Sequence, residues 1–262
     1  MKDLLAAFTF FTRLPFWRLC NIPSDHFKHI VPHWPFVGWL TGGSMACIFW
    51  LSGQLFTPLT AVLLTFSGRL LLTGALHEDG LADFLDGMGG GKTKERILAI
   101  MKDSSIGSYG VLGLILYFAL WITSVHTIST HYPLYITCIL LFTGDIWSKW
   151  SASQLINLLP YVRKASESKS KLIYERMSFP RFLTGLTGVI LPVVQILIFT
   201  NVFEKAGMII LIAGLAPVIT AALLAGYMKR RIRGYTGDCC GATFLLCELL
   251  YFITFNGLWK FI

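Results

Sequence analysis

The chain has 262 residues, 55% of them hydrophobic and only 14% charged, with a formal net charge of +8. Soluble domains carry about 25% charge, so this composition excludes an ordinary soluble fold. Apolar runs of roughly 18 residues or more recur instead, and these are membrane-span candidates. Little is left between them, so residues 1–262 read as a single integral membrane domain with cytosolic loops.

In chain order, the first apolar run is Leu4 to Phe11, with Asp3 where a signal peptide would carry a basic residue. It is short and no small-residue cleavage site follows, so it reads as a short amphipathic helix. Seven candidate spans come next: Phe36–Phe56, Leu59–Ala75, Gly107–Thr127, Tyr132–Leu155, Phe182–Val202, Gly207–Met228 and Gly241–Trp259. The expected fold is therefore an all-α polytopic transmembrane bundle. Placing the N-terminus in the cytosol puts segments 1–35, 76–106, 156–181 and 229–240 on the same side, with 18 of the 22 basic residues. That asymmetry is the positive-inside rule. It accounts for the net charge without nucleic acid, and seven spans leave the C-terminus outside. Trp34, Trp39, Trp147, Trp150 and Trp259 suit a headgroup belt. The polar segment Arg163–Lys171 reads as a mobile cytosolic loop. None of the six cysteines forms a C-x-x-C pair, which argues for reduced thiols over zinc or disulfides.

The acids are as unevenly placed as the bases: six of 14 fall between residues 78 and 103, namely Glu78, Asp79, Asp83, Asp86, Glu95 and Asp103. Asp79, Asp83 and Asp86 are spaced i, i+4, i+7, which on a helix makes one stripe of carboxylates. Such a stripe repels itself unless a cation binds, and Mg²⁺ is held by few carboxylates together with substrate phosphates. A solvated acidic face is the blander reading, and the apolar residues between the acids speak against it. Gly89-Gly90-Gly91-Lys92-Thr93 resembles the end of a P-loop but lacks its first glycine and its preceding strand. These glycines are expected to end the acidic helix. In Met101-Lys102-Asp103-Ser104-Ser105, Lys102 can meet a phosphate, Asp103 can be a ligand or base, and the hydroxyls can donate to an oxyanion. Equally, Ser104 or Ser105 can cap the third span.

The last cluster is Lys229-Arg230-Arg231-Ile232-Arg233 followed by Gly237-Asp238 and Gly241-Ala242, with Glu248 beyond. Some of these bases set topology or meet anionic lipid; Arg230, Arg231 or Arg233 can also lie near a substrate diphosphate. Asp238 between a glycine and a span can be a metal ligand, a base or a helix cap. An intramembrane acid such as Glu248 is a functional candidate by default. Asp145 and Lys149, four apart, are expected to pair on one helical face. Arg69 either snorkels to the interface or faces the acidic site.

Taken together, these motifs resemble the membrane-bound cobalamin synthases, also called adenosylcobinamide-GDP ribazoletransferases or cobalamin-5′-phosphate synthases. The resemblance runs through Phe11-Thr12-Arg13-Leu14-Pro15, His77-Glu78-Asp79-Gly80-Leu81-Ala82-Asp83 with Asp86-Gly87, Ile100-Met101-Lys102-Asp103-Ser104, and Gly237-Asp238 to Glu248. It implies that adenosylcobinamide-GDP and α-ribazole, or its 5′-phosphate, give adenosylcobalamin, or its 5′-phosphate, and GMP. It further implies Mg²⁺, with Mn²⁺ as the alternative, held by Asp79, Asp83, Asp86 and Glu78. Catalysis would fall to Asp79, Asp83, Asp103 and Asp238. Substrate binding would involve His77, Lys102, Ser104, Arg230, Arg231, Arg233 and Glu248. A multi-pass location in a prokaryotic inner membrane, a cytosol-facing site, lipid contacts and a homo-oligomer complete the expectation. Where many members carry Arg after Lys-Asp-Ser, this chain has Ser105, so Lys102 or Arg69 would have to supply that cation. A CDP-alcohol phosphotransferase fits less well, because Ala82 is followed by Asp83 and not Arg. A cation transporter would place acids near mid-bilayer and break its helices in repeats.

Overall fold

The computed structural model describes residues 1–163, 174–199 and 205–259. Most of the segment read as a mobile loop, the end of the fifth predicted span and the last three residues lie outside them. Regular structure among the described residues is helical, apart from one isolated parallel bridge between Tyr161 and Tyr235. The helices are α1 (Lys2–Phe11), α2 (Trp34–Gly53), α3 (Pro58–Thr73), α4 (Leu76–Gly90), α5 (Lys94–Ile100), α6 (Ser108–His131), α7 (Leu134–Ser153), α8 (Leu155–Leu158), α9 (Phe179–Phe199), α10 (Lys205–Ala213), α11 (Leu215–Arg231) and α12 (Gly237–Trp259).

Each predicted span coincides with helix, but among the described residues only four segments are long and apolar enough to cross a membrane. They are Val31–Gly53, Ser108–His131, Gly207–Arg231 and Gly237–Trp259; α3 and α4 add a fifth if they form one broken span. The shortfall from seven has physical causes. α3 and α4 meet at 88°, so neither continues the other. α7 carries Asp145 and Lys149 inside an otherwise apolar helix. The described apolar part of α9 is short, Phe179–Val194.

Two close helix contacts organise the bundle. α2 meets α7 through Gly38 and Gly42, a small-xxx-small face. A Cβ on Gly38 would lie 2.9 Å from the Ile146 Cα, and one on Gly42 2.9 Å from the Phe142 carbonyl oxygen. Beside this seam Lys149 donates to Asp145, as the i, i+4 spacing implies, and also to the Thr41 hydroxyl at 3.0 Å. The pair is fully buried, which is tolerable only because each charge has a partner.

The second contact joins α4 to α12, and the α3–α4 corner makes it possible. Gly74 and Ala75 both take positive φ, 64° and 54°, so the chain turns within two residues. The Arg13 backbone N–H donates to the Leu72 carbonyl at 2.7 Å and its side chain lies over Gly74, a place where any side chain would intrude. From that corner α4 starts with His77, Glu78 and Asp79 in its first turn. Its far end stops at Gly90 with Gly91 beyond it, so the glycine run does end the acidic helix as expected.

Candidate active site

α4 and α12 touch backbone to backbone. A Cβ on Gly80 would lie 3.2 Å from the Asp238 Cα, and a Cβ on Gly241 would lie 3.3 Å from the His77 Cα. These glycines bring two helix N-termini side by side, and each presents N–H groups without helical acceptors. Such ends favour anions. Thr236 caps α12, accepting the Cys239 N–H at 3.4 Å. Asp238, in the first turn, is thus not the cap, and the cap reading of that residue is corrected.

A cavity of ≈ 120 Å³ opens at this junction. Asp79, Gly80, Gly237, Asp238 and Gly241 form one side, and Phe10, Phe11, Trp34, His77, Tyr161 and Tyr174 form much of the rest, with Arg163 beside Asp238. Arg163 was legible only as one loop base among many. It reaches the site because residues 160–162 run beside the α11–α12 turn. There Tyr235 N–H donates to the Pro160 carbonyl at 3.0 Å and Val162 N–H to the Tyr235 carbonyl at 3.1 Å. Gly234 leaves the room this needs, since a Cβ there would strike the Pro160 carbonyl oxygen. Arg163 Nη1 then meets Asp238 Oδ2 at 3.2 Å with both side chains largely buried. Burial pushes the Tyr174 and Tyr235 phenols up, so both remain protonated donors.

The predicted carboxylate stripe divides into three fates. Asp79 is exposed on the cavity and Asp83, one turn on, is half-buried. Asp86 is buried and accepts the Gly107 N–H at 2.7 Å and the Gly110 N–H at 2.8 Å. It therefore caps α6 from a neighbouring helix. Neither Ser104 nor Ser105 does so; Gly107 occupies the cap position, which corrects the serine-cap reading. Glu78 points away from Asp79 into a buried cluster. There Arg69 binds Glu248, Glu78 at 3.2 Å and the Tyr117 hydroxyl at 2.8 Å, and Trp121 Nε1 donates to Glu248 at 2.9 Å. Arg69 faces the acids rather than snorkelling, and Glu248 serves the same cluster.

The other predicted binders are spread along the chain's polar turns and do not line this cavity. Lys102, Asp103 and Ser104 are exposed after α5. The Ser105 N–H, 2.9 Å from Asp103 Oδ1, holds that carboxyl below its usual range. Arg231 donates to the Met88 and Gly91 carbonyls at 3.1 and 2.7 Å, closing the C-terminal end of α4. Arg230 and Arg233 are exposed, and Arg233 takes positive φ, 58°.

A family model described as cobalamin-5-phosphate synthase matches residues 3–256. The chain belongs to the cobalamin-5-phosphate synthase family. Among curated relatives, the adenosylcobinamide-GDP ribazoletransferase of Vibrio parahaemolyticus is 34% identical over 97% of this chain and 91% of its own length. Proteins of the same name from Shewanella amazonensis and Albidiferax ferrireducens are 35% and 32% identical, covering 99% and 97% of this chain and 96% of each relative. No solved structure matches. In this chain Gly80 and Gly241, both within the motifs that carry the resemblance, are the contact points of α4 and α12. Gly80→Ala should force those backbones apart by a few tenths of an ångström at Asp238. Turnover is expected to fall about tenfold or more with little change in Tm, because misplacement at a reacting centre is costly. Wild-type turnover in a normally folded Gly80→Ala protein would remove the close-approach argument.

Among the described residues, no three His, Cys, Asp or Glu side chains form a ready-made metal cage. Asp79 and Asp83 suit Mg²⁺ only in its usual manner, with one or two carboxylates completed by water and substrate phosphate.

Proposed function

We propose that this chain is an adenosylcobinamide-GDP ribazoletransferase, forming adenosylcobalamin, or its 5′-phosphate, and GMP. The observation that carries the site assignment is the meeting of Asp79, Asp238 and Arg163 at one cavity between two helix N-termini. The family and the names of the relatives support the reaction. A ribose hydroxyl of the ribazole attacks the phosphorus joined to the cobinamide. A new P–O bond forms, the diphosphate P–O bond breaks, and GMP leaves with its electron pair. Asp238 takes the proton of the attacking hydroxyl. Arg163, half engaged by Asp238, offers its remaining nitrogen to the phosphoryl oxygens. That nitrogen supplies the cation for which Lys102 and Arg69 stood as candidates. Asp79 and Asp83 would hold Mg²⁺ or Mn²⁺, whose chemistry is to neutralise phosphate charge.

Purified protein in lipid nanodiscs should release GMP from adenosylcobinamide-GDP only when ribazole or its phosphate is added. CMP release from a CDP-alcohol, or no nucleotide release from either donor, would overturn the reading.

We also infer seven crossings of a prokaryotic inner membrane, with the N-terminus and the site in the cytosol. The distribution of Lys and Arg supports this. Cysteines introduced near residues 90 and 233 should label only from the cytosolic side and one near the C-terminus only from the other. A C-terminus labelled from the cytosol would mean an even number of crossings.

A further inference from the structure

Arg163 and Asp238 carry the proposed chemistry, yet their side chains are only 5% and 13% exposed. A site so enclosed exchanges large anionic ligands with solvent by moving one of its walls. The lining residues differ in how firmly they are held. Gly80 and Gly241 lock the α4–α12 side backbone to backbone. Tyr161 is fixed between the two bonds that join Pro160 and Val162 to Tyr235. Phe10 and Phe11 belong to α1, where Ala6 and Ala7 are fully buried and the Arg13 N–H holds the Leu72 carbonyl just past its end.

Tyr174 is held differently. It begins a strap, residues 174–178, that has no regular secondary structure and leads into α9. Its ring meets Phe10 edge-on with centroids 6.4 Å apart, and it lines the cavity. Among the described residues, two bonds from strap N–H groups tether it. The Glu175 N–H donates to the Lys28 carbonyl at 3.1 Å, and the Met177 N–H to Asn157 Oδ1 at 3.0 Å. The Glu175 carboxylate adds His29 Nδ1 at 3.6 Å and Arg181 Nη1 at 3.9 Å. Its side chain is 54% exposed, and exposed ion pairs contribute little. Few buried contacts and an exposed backbone mark a segment that opens locally at low cost.

Resting on the function proposed above, we infer that the strap of residues 174–178 is the gate of this cavity. Closed, it lays Tyr174 against Phe10 and keeps water from Asp238 and Arg163. Released from Lys28 and Asn157, it carries Tyr174 away and admits the substrate phosphates. Opening also uncovers Cys240, which lines the same cavity and is 6% exposed in the closed form. Cys240 is therefore a native reporter of the gate.

The test follows maleimide labelling of Cys240, located by tandem mass spectrometry, and GMP release, both on the full chain in nanodiscs. His29→Cys with Glu175→Cys puts two thiols where the native side chains already face each other. Diamide takes up their two hydrogens at its N=N bond, and the resulting disulfide pins the strap. Labelling and GMP release should each fall about tenfold or more on oxidation and return with dithiothreitol, since both need the open form. Wild type treated alike should not change. Asn157→Ala leaves the Met177 N–H without its acceptor and should speed Cys240 labelling by up to about tenfold, the worth of one hydrogen bond. Oxidised protein that labels and turns over like the reduced form would overturn the inference, as would suppressed labelling with undiminished GMP release. So would unchanged labelling in Asn157→Ala, which decides the matter alone if the cysteine pair does not fold or join. Labelling that is suppressed and restored in a protein releasing no GMP in either state would sink the reaction instead and leave the strap as the gate.

Discussion

Asp79→Asn and Asp83→Asn are each expected to lower GMP release by about 100-fold or more, the scale seen when one preorganised charge-stabilising group is lost. Both side chains keep their shape, Asp79 is exposed on the cavity, and Asp83 lies one turn below. Insertion and Tm should therefore stay near wild type. Chelation should abolish turnover and Mg²⁺ restore it, with the half-saturating concentration raised in whichever variant keeps measurable activity. Asp86→Asn is expected to behave oppositely. Its two oxygens accept the Gly107 and Gly110 N–H groups, and an amide can satisfy only one of them. A stability loss of about 1 kcal/mol, typical of a weakened helix cap, should accompany a small change in turnover. Near-normal activity of both Asp79→Asn and Asp83→Asn would remove the metal proposal; a Mg²⁺ requirement shifted by Asp86→Asn would restore the three-residue stripe.

Arg69→Met is expected to unfold the bundle or prevent its accumulation. Arg69 is buried and pairs with both Glu248 and Glu78, residues of α12 and α4. It lies 5.0 Å over the Phe66 ring and 5.2 Å from the Trp121 ring. Removing the cation strands two buried carboxylates, a loss of about 3–5 kcal/mol, or a Tm drop of roughly 6 °C or more for a chain of this size. Adding Glu248→Gln should recover part of that drop, since one stranded charge is gone. Should the single variant melt within a degree or two of wild type, the cluster is not what ties α3 and α4 to α12. Because the cluster sits directly behind Glu78, the neighbour of Asp79, surviving Arg69 variants should also show lower turnover.

Local pattern made much of this protein legible. Apolar runs and scarce charge establish a helical membrane protein, because the cost of placing charge in lipid is a property of composition. The spacing of Asp79, Asp83 and Asp86 and the Asp145–Lys149 pair follow from helical period alone. The ordered motifs, from Phe11-Thr12-Arg13 to Gly237-Asp238, point to the family that the comparisons then show. What each acid does could not be read that way. Glu78 and Asp79 are adjacent in sequence, yet one enters the Arg69 cluster and the other the cavity, because successive residues on a helix lie about 100° apart and meet different neighbours. Asp86 belongs to the same stripe as Asp79 but is taken by the first turn of α6. Arg163 resembles any loop base until the Tyr161–Tyr235 bridge carries it to Asp238. Only the tertiary structure decided these roles, since a side chain's chemistry depends on which buried partners reach it, and those partners come from helices distant in the chain.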